Sequence, residues 1–170
     1  MPIRYCLTAV VLLAPLTAVT AETLHITGAG SERDIACEDG QDISVTGTRH
    51  KLALTGRCGA VEIRGSNHKV SFETAQSLYV SGTGNSASGT VVAKLSVDAT
   101  RNRVVTAVKS VDGPAEIEVA GADQARDLRL DSPATVSVHG TRNRVQWRLA
   151  AGVRPPAVSI SGIENKVARR

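Results

Sequence analysis

A turn that recurs every 17 to 22 residues constrains this chain more than any other feature. A glycine preceded by an apolar-polar-apolar triplet appears as Leu24-His25-Ile26 before Gly28, Ile43-Ser44-Val45 before Gly47, Val61-Glu62-Ile63 before Gly65 and Leu78-Tyr79-Val80 before Gly82. It returns as Ile117-Glu118-Val119 before Gly121, Val136-Ser137-Val138 before Gly140 and Val158-Ser159-Ile160 before Gly162, while Leu95-Ser96-Val97 precedes Ala99, where alanine replaces the glycine. These eight turn positions are separated by 19, 18, 17, 17, 22, 19 and 22 residues. Period-two alternation makes each triplet a half-buried strand, and strands this short gain stability only by pairing with copies of themselves. The pattern predicts an all-β chain, a parallel β-solenoid of about eight short coils forming one domain over residues 22–170. At about 4.8 Å per coil the rod would be about 38 Å long. A β-sandwich also has short strands at regular spacing, but it has no reason to repeat one turn chemistry in one phase.

Three residues after the turn position stands His50, His68, Asn85, Asn102, Asn143 or Asn165, and an apolar strand restarts two residues later, as at Leu52, Val70, Val104, Val145 and Val167. Glycine tolerates positive φ, and asparagine is the other residue suited to it, with a side chain that bonds nearby backbone. Gly47, Gly65, Gly82, Gly121, Gly140 and Gly162 are therefore expected in strained turns, with the asparagines in positive-φ positions and stacked between coils.

Copies such as Val138-His139-Gly140-Thr141-Arg142-Asn143-Arg144-Val145, with Cys37 and Cys58 near the front, resemble the secreted bacterial family known as domain of unknown function 3060. The resemblance implies a small exported β-solenoid-like protein and brings no catalytic residues with it.

The first 21 residues read as a signal peptide. Arg4 supplies a positive n-region, Leu7 to Val19 is apolar and broken by Pro15, and Val19-Thr20-Ala21 has the small-residue ending of a cleavage site. Cleavage after Ala21 leaves 19 basic and 16 acidic residues, a net charge of +3, and no later segment is apolar for long enough to form a transmembrane helix. The expected location is periplasmic or secreted. Aromatic residues are only 2% of the chain, and that mild charge with so few stacking platforms argues against nucleic acid as a partner.

Cys37 and Cys58 are the two cysteines left after cleavage and fall at similar places in adjacent coils, so a disulfide is expected between the first two coils. Without a Cys-x-x-Cys motif they do not read as a redox pair. His50 and His68 read as substitutes for asparagine in the turn, since two histidines fall short of a metal site. The acidic run Glu38-Asp39-Gly40-Gln41-Asp42 lacks the ligand spacing of a calcium loop, and Gly82-Thr83-Gly84-Asn85-Ser86-Ala87 matches a dinucleotide fingerprint by letters without the strand-to-helix context. No cofactor and no metal is expected. Glu62, Glu116, Glu118 and Asp98 should point outward from strands, with no pair identifiable as an acid-base couple, so the reading is non-catalytic.

A basic column remains. Lys51, Lys69, Arg103, Arg144 and Lys166 each lie four residues after a turn position, and Arg49, Arg101 and Arg142 lie two residues before some of them. Stacking would gather them into one uninterrupted stripe, a field suited to an anionic envelope glycan or lipid head group. The expected function is an exported structural or binding module of the bacterial cell envelope. The alternative is a small hydrolase or lyase acting on an acidic polysaccharide, which would instead gather carboxylates beside a groove.

Overall fold

A computed structural model describes residues 22–170 of the chain; the signal peptide expected over residues 1–21 lies outside them. The described residues form twelve strands and no α-helix. Four long strands, β2 (Glu32–Thr48), β3 (Lys51–Ser66), β4 (Lys69–Thr83) and β5 (Ser86–Thr100), each run most of the way round one coil. They are preceded by β1 (Leu24–Ala29) and followed by the shorter β6 (Arg103–Val108), β7 (Ala115–Ala122), β8 (Ala125–Leu130), β9 (Ala134–Val138), β10 (Arg144–Leu149), β11 (Ala157–Ile160) and β12 (Lys166–Arg169). All pairings are parallel. The extra residues of the 22-residue coils go into loops at 109–114 and 150–156, so the turn register is kept.

The architecture is the expected β-solenoid, and its strand phase follows the alternation. Leu78, Val80, Leu95, Val97, Ile117, Val119, Val136 and Val138 are buried in two stacked columns, while Tyr79, Ser96, Glu118 and Ser137 pair register with register on the outside. Across the interior run Leu52–Val70–Ala87–Val104 and, on a third short side, Cys58–Ala75–Val92–Val108. The buried Phe72 ring fills the space that a side chain at Gly89 would occupy, so the large and the small residue share one layer.

The turn glycines are required for contact as well as for φ. Gly47 has φ +125°, and a Cβ there would overlap the carbonyl oxygen of Gly28 one coil below. Glycine therefore lets successive turns stack at the strand spacing. The positive-φ expectation for the asparagines is corrected. The left-handed residue is the one just before the asparagine position: Arg49, Asn67, Gly84, Arg101, Asp123, Arg142 and Glu164 all lie there, with Arg101 at φ 55° and Arg142 at φ 54°. Asn85, Asn102, Asn143 and Asn165 have another task, hydrogen bonding along the rod.

Cys37 and Cys58 form a disulfide with their Cα atoms 5.1 Å apart. Their positions are not equivalent, as the spacing suggested. Cys37 is in register with Gly56, and Cys58 is in register with Gln41 across an irregularity in β2.

Candidate anion-binding face

The corner that carries the basic residues is held by a ladder of side chains. Each ladder residue accepts a hydrogen bond from the backbone N–H of its counterpart one coil earlier: Ser31 N–H donates to Nδ1 of His50 (3.1 Å), His50 N–H to Nδ1 of His68 (3.1 Å), His68 N–H to Oδ1 of Asn85 (2.9 Å) and Asn85 N–H to Oδ1 of Asn102 (2.8 Å). The series resumes with Gln124 N–H to Asn143 (3.1 Å) and Asn143 N–H to Asn165 (2.9 Å). The amide NH2 groups turn back to their own corner, as when Asn143 Nδ2 donates to the carbonyls of Gly121 and His139, each at 3.0 Å. The repeat itself thereby satisfies the buried side-chain amides of Asn85 and Asn143, whereas buried Nδ2 of Asn102 has no partner.

Sequence reasoning missed two residues of this corner. Gln124 occupies the ladder position and is buried, and Arg126 fills the core column between Val104 and Val145 with only 2% of its surface exposed. Arg126 donates through Nη1 to the Asn102 carbonyl (2.7 Å) and through Nη2 to Oε1 of Gln124 (2.5 Å). With no carboxylate partner among the described residues, burial pushes its pKa down to about 9, which leaves it charged at neutral pH. The available signal was the glutamine itself, standing three residues after Gly121 where the other copies carry Asn or His.

On the outer side of this corner the basic column is in register, Lys51 beside Lys69, Arg103 two coils on, then Arg144 beside Lys166. All five are exposed. The expected uninterrupted stripe is corrected: Ser86 stands between Lys69 and Arg103, and Ala125 between Arg103 and Arg144. At the front end Lys51 pairs with Glu32 at 2.5 Å, and this hydrogen bond holds its ammonium above the ordinary lysine range. Lys69, Arg103, Arg144 and Lys166 make no ion pair among the described residues. The left-handed column alongside contributes Arg49, Arg101 and Arg142, the last clamped to Asp123 by two bonds of 2.7 and 3.0 Å.

Next to the column lies a floor of outward residues in register from coil to coil, small at Ala53, Ser71 and Ser88 and continuing as Val105, Asp127 and Gln146 beside Arg103 and Arg144. Two shallow depressions run along it, one of about 280 Å³ bordered by Lys51, Lys69 and Ser86, the other of about 180 Å³ bordered by Arg103, Arg144 and Asp127. The surface can receive an extended anion laid along the rod. It encloses no small molecule.

The other candidates are placed elsewhere. Asp42 accepts from Ala60 N–H at 2.7 Å and Asp39 pairs with Arg57 at 2.9 Å, so two carboxylates of the acidic run are engaged in holding coils together. Among the described residues no three metal-ligating side chains cluster. Glu62 pairs with Arg64. Glu116 and Glu118 border a groove of about 280 Å³ with Lys94 and His139 on a different side of the rod, and Glu116 bonds Lys94 at 2.6 Å. That hydrogen bond holds the Glu116 carboxyl below the ordinary range, the opposite of what a general acid needs.

Residues 45–91 match a family model described as Protein of unknown function (DUF3060), the family that the turn motif resembles. No curated protein and no solved structure matches the chain. Among the described residues no helix is long and apolar enough to cross a membrane.

Proposed function

We propose that the protein is an exported, non-catalytic module of the bacterial cell envelope that binds an anionic glycan along its basic corner. The observation that carries this reading is the in-register column of Lys69, Arg103, Arg144 and Lys166, exposed and without ion-pair partners among the described residues. Like charges at coil spacing repel, and a bound polyanion offsets that cost. A linear polymer suits a narrow line of cations along one corner better than a broad lipid surface does. With so few aromatics, recognition goes through the acidic groups of the glycan rather than through ring faces.

The experiment is retention of the mature protein on an immobilised anionic polysaccharide and, separately, on anionic lipid vesicles, with salt raised from low to moderate. Salt-sensitive retention on the polysaccharide supports the reading. Retention on vesicles alone overturns the choice of glycan, and no retention on either overturns anion binding. The second reading is a hydrolase or lyase acting on the same class of polymer, which would rely on Glu118 and His139 of the other groove because Lys94 holds Glu116 ionised. Its test is release of reducing ends or unsaturated sugars from that polymer.

A further inference from the structure

The pentapeptide Thr-Arg-Asn-Arg-Val occurs twice, at residues 100–104 and 141–145. Register places the two copies two coils apart, with Arg103 and Arg144 each paired to Ala125 of the coil between them. Each copy holds one arginine in a left-handed turn, Arg101 or Arg142, and the second two residues on at the start of a strand, Arg103 or Arg144, with the intervening asparagine buried in the ladder. The two forks are thus alike in backbone. They are separated by about 9.5 Å, twice the coil rise.

The coil between them offers no free cation, since its Asp123 is paired with Arg142 and its Asp127 with Arg170. Asp123 occupies the left-handed position there and Ala125 the strand start. Continuing toward the front end, Ser86 takes the column position one coil before Arg103, and Lys69 the one before that. Over the middle of the column, Lys69, Ser86, Arg103, Ala125 and Arg144, cations and small neutral residues alternate, while Lys51 and Lys166 at its ends each adjoin another cation.

We infer that this face selects a glycan carrying one acidic group on every second sugar, the acidic groups seated at Arg103 and Arg144, with no free cation for an acidic group on the sugar between, where Asp123 holds Arg142. This rests on the reading of the corner as a glycan-binding face. The physical basis is pitch matching. Two sugar units of an extended polysaccharide span about the length of two coils, so a charge on alternate sugars meets Arg103 and then Arg144. A charge on every sugar brings one anion onto the Asp123–Arg142 ion pair, which is neutral as a pair and offers that anion no free cation. A guanidinium recognises carboxylate or sulfate in a directed way, and an intermediate site whose cation is already taken discriminates against the wrong spacing.

The test compares the whole mature protein binding hyaluronate, one carboxylate per disaccharide, with polygalacturonate, one per sugar, at equal carboxylate concentration and equal salt. The expected result is tighter binding of hyaluronate by about fivefold or more, and a smaller ratio in Asp123→Asn, which frees Arg142 to meet an anion at the intermediate site. Equal binding, or tighter binding of polygalacturonate by the wild type, overturns the spacing inference while leaving the glycan-binding face standing. A ratio unchanged in Asp123→Asn overturns the role of Asp123. Binding of neither polymer overturns the face and the inference together. Circular dichroism of the variant separates a lost fold from a changed preference.

Discussion

The backbone N–H of His50 donates to Nδ1 of His68 at 3.1 Å, and the two rings stack with their centroids 5.1 Å apart and their planes within 2°. A nitrogen that accepts from a backbone N–H carries no proton, so Nδ1 is the accepting nitrogen of both ladder rings, His50 toward Ser31 and His68 toward His50. Each Nε2 then faces a carbonyl of its own corner, Thr46 at 3.3 Å or Arg64 at 3.2 Å.

This predicts an acid-sensitive front half. Burial, more than any other factor, lowers the His68 pKa below the ordinary histidine value. A group whose folded pKa is depressed takes up protons in the unfolded chain first, so its contribution is complete above about pH 6.5 and is lost as pH falls from there toward the folded value. The unfolding midpoint should drop across that window, with a slope for His68 of at most about 1.4 kcal/mol per pH unit. His50→Asn with His68→Asn, which copies the ladder chemistry of Asn85, should flatten the profile. A wild-type profile already flat between pH 7 and 5 would show that the ladder rings are not held neutral.

The Gln124–Arg126 pair should behave as a unit. Gln124→Asn alone removes the acceptor of Arg126 Nη2 and should cost about 1 to 3 kcal/mol, and Arg126→Met alone leaves Oε1 of Gln124 without its donor. The double variant restores an ordinary ladder residue over an apolar core, and replacing a buried charge in this way is often neutral or stabilising. Urea unfolding of the four proteins should therefore show strong coupling. Additive losses would mean that the two residues act independently.

Strand phase is tested in one triplet. Val138 is fully buried and Ser137 is turned outward, so Val138→Asp should cost several kcal/mol and Ser137→Asp well under one, since only the first buries an unpaired charge. Comparable midpoint shifts from the two substitutions would mean that the alternation runs the other way.

The disulfide between Cys37 and Cys58 closes a separation of 21 residues and ties the first coil to the second. Its loss should cost about 3 kcal/mol by chain entropy. Thiol titration of the oxidised mature protein should find no free cysteine, and Cys37→Ser with Cys58→Ser should lower the unfolding midpoint to that of the reduced wild type.

The solenoid and its strand phase were legible because one local rule, alternation followed by a glycine turn, is applied over and over. Val136, Ser137 and Val138 need no knowledge of any other coil to be oriented. What the sequence hid depends on comparison between coils. Arg126 reads as a surface residue until register places it between Val104 and Val145, and Gln124 gains meaning only as its partner. The basic column was visible as residue types, but its interruptions at Ser86 and Ala125 and the neutralising contact of Glu32 with Lys51 emerge only when coils are aligned. Positive φ was assigned one residue too late because asparagine suits both a left-handed turn and a hydrogen-bonded ladder, and propensity does not separate the two.

The glycan-binding reading meets its most direct test in a charge-neutral variant, Lys69→Gln, Arg103→Gln, Arg144→Gln and Lys166→Gln combined. All four side chains are exposed and without ion-pair partners among the described residues, so the unfolding midpoint should stay close to that of the wild type. Retention on an anionic polysaccharide column should be strong for the wild type at low salt. It should fade as screening shortens to about 10 Å near 0.1 M ionic strength, and be nearly absent for the variant throughout. Equal retention of the two folded proteins, or retention that ignores salt, would contradict the assignment of glycan binding to this corner.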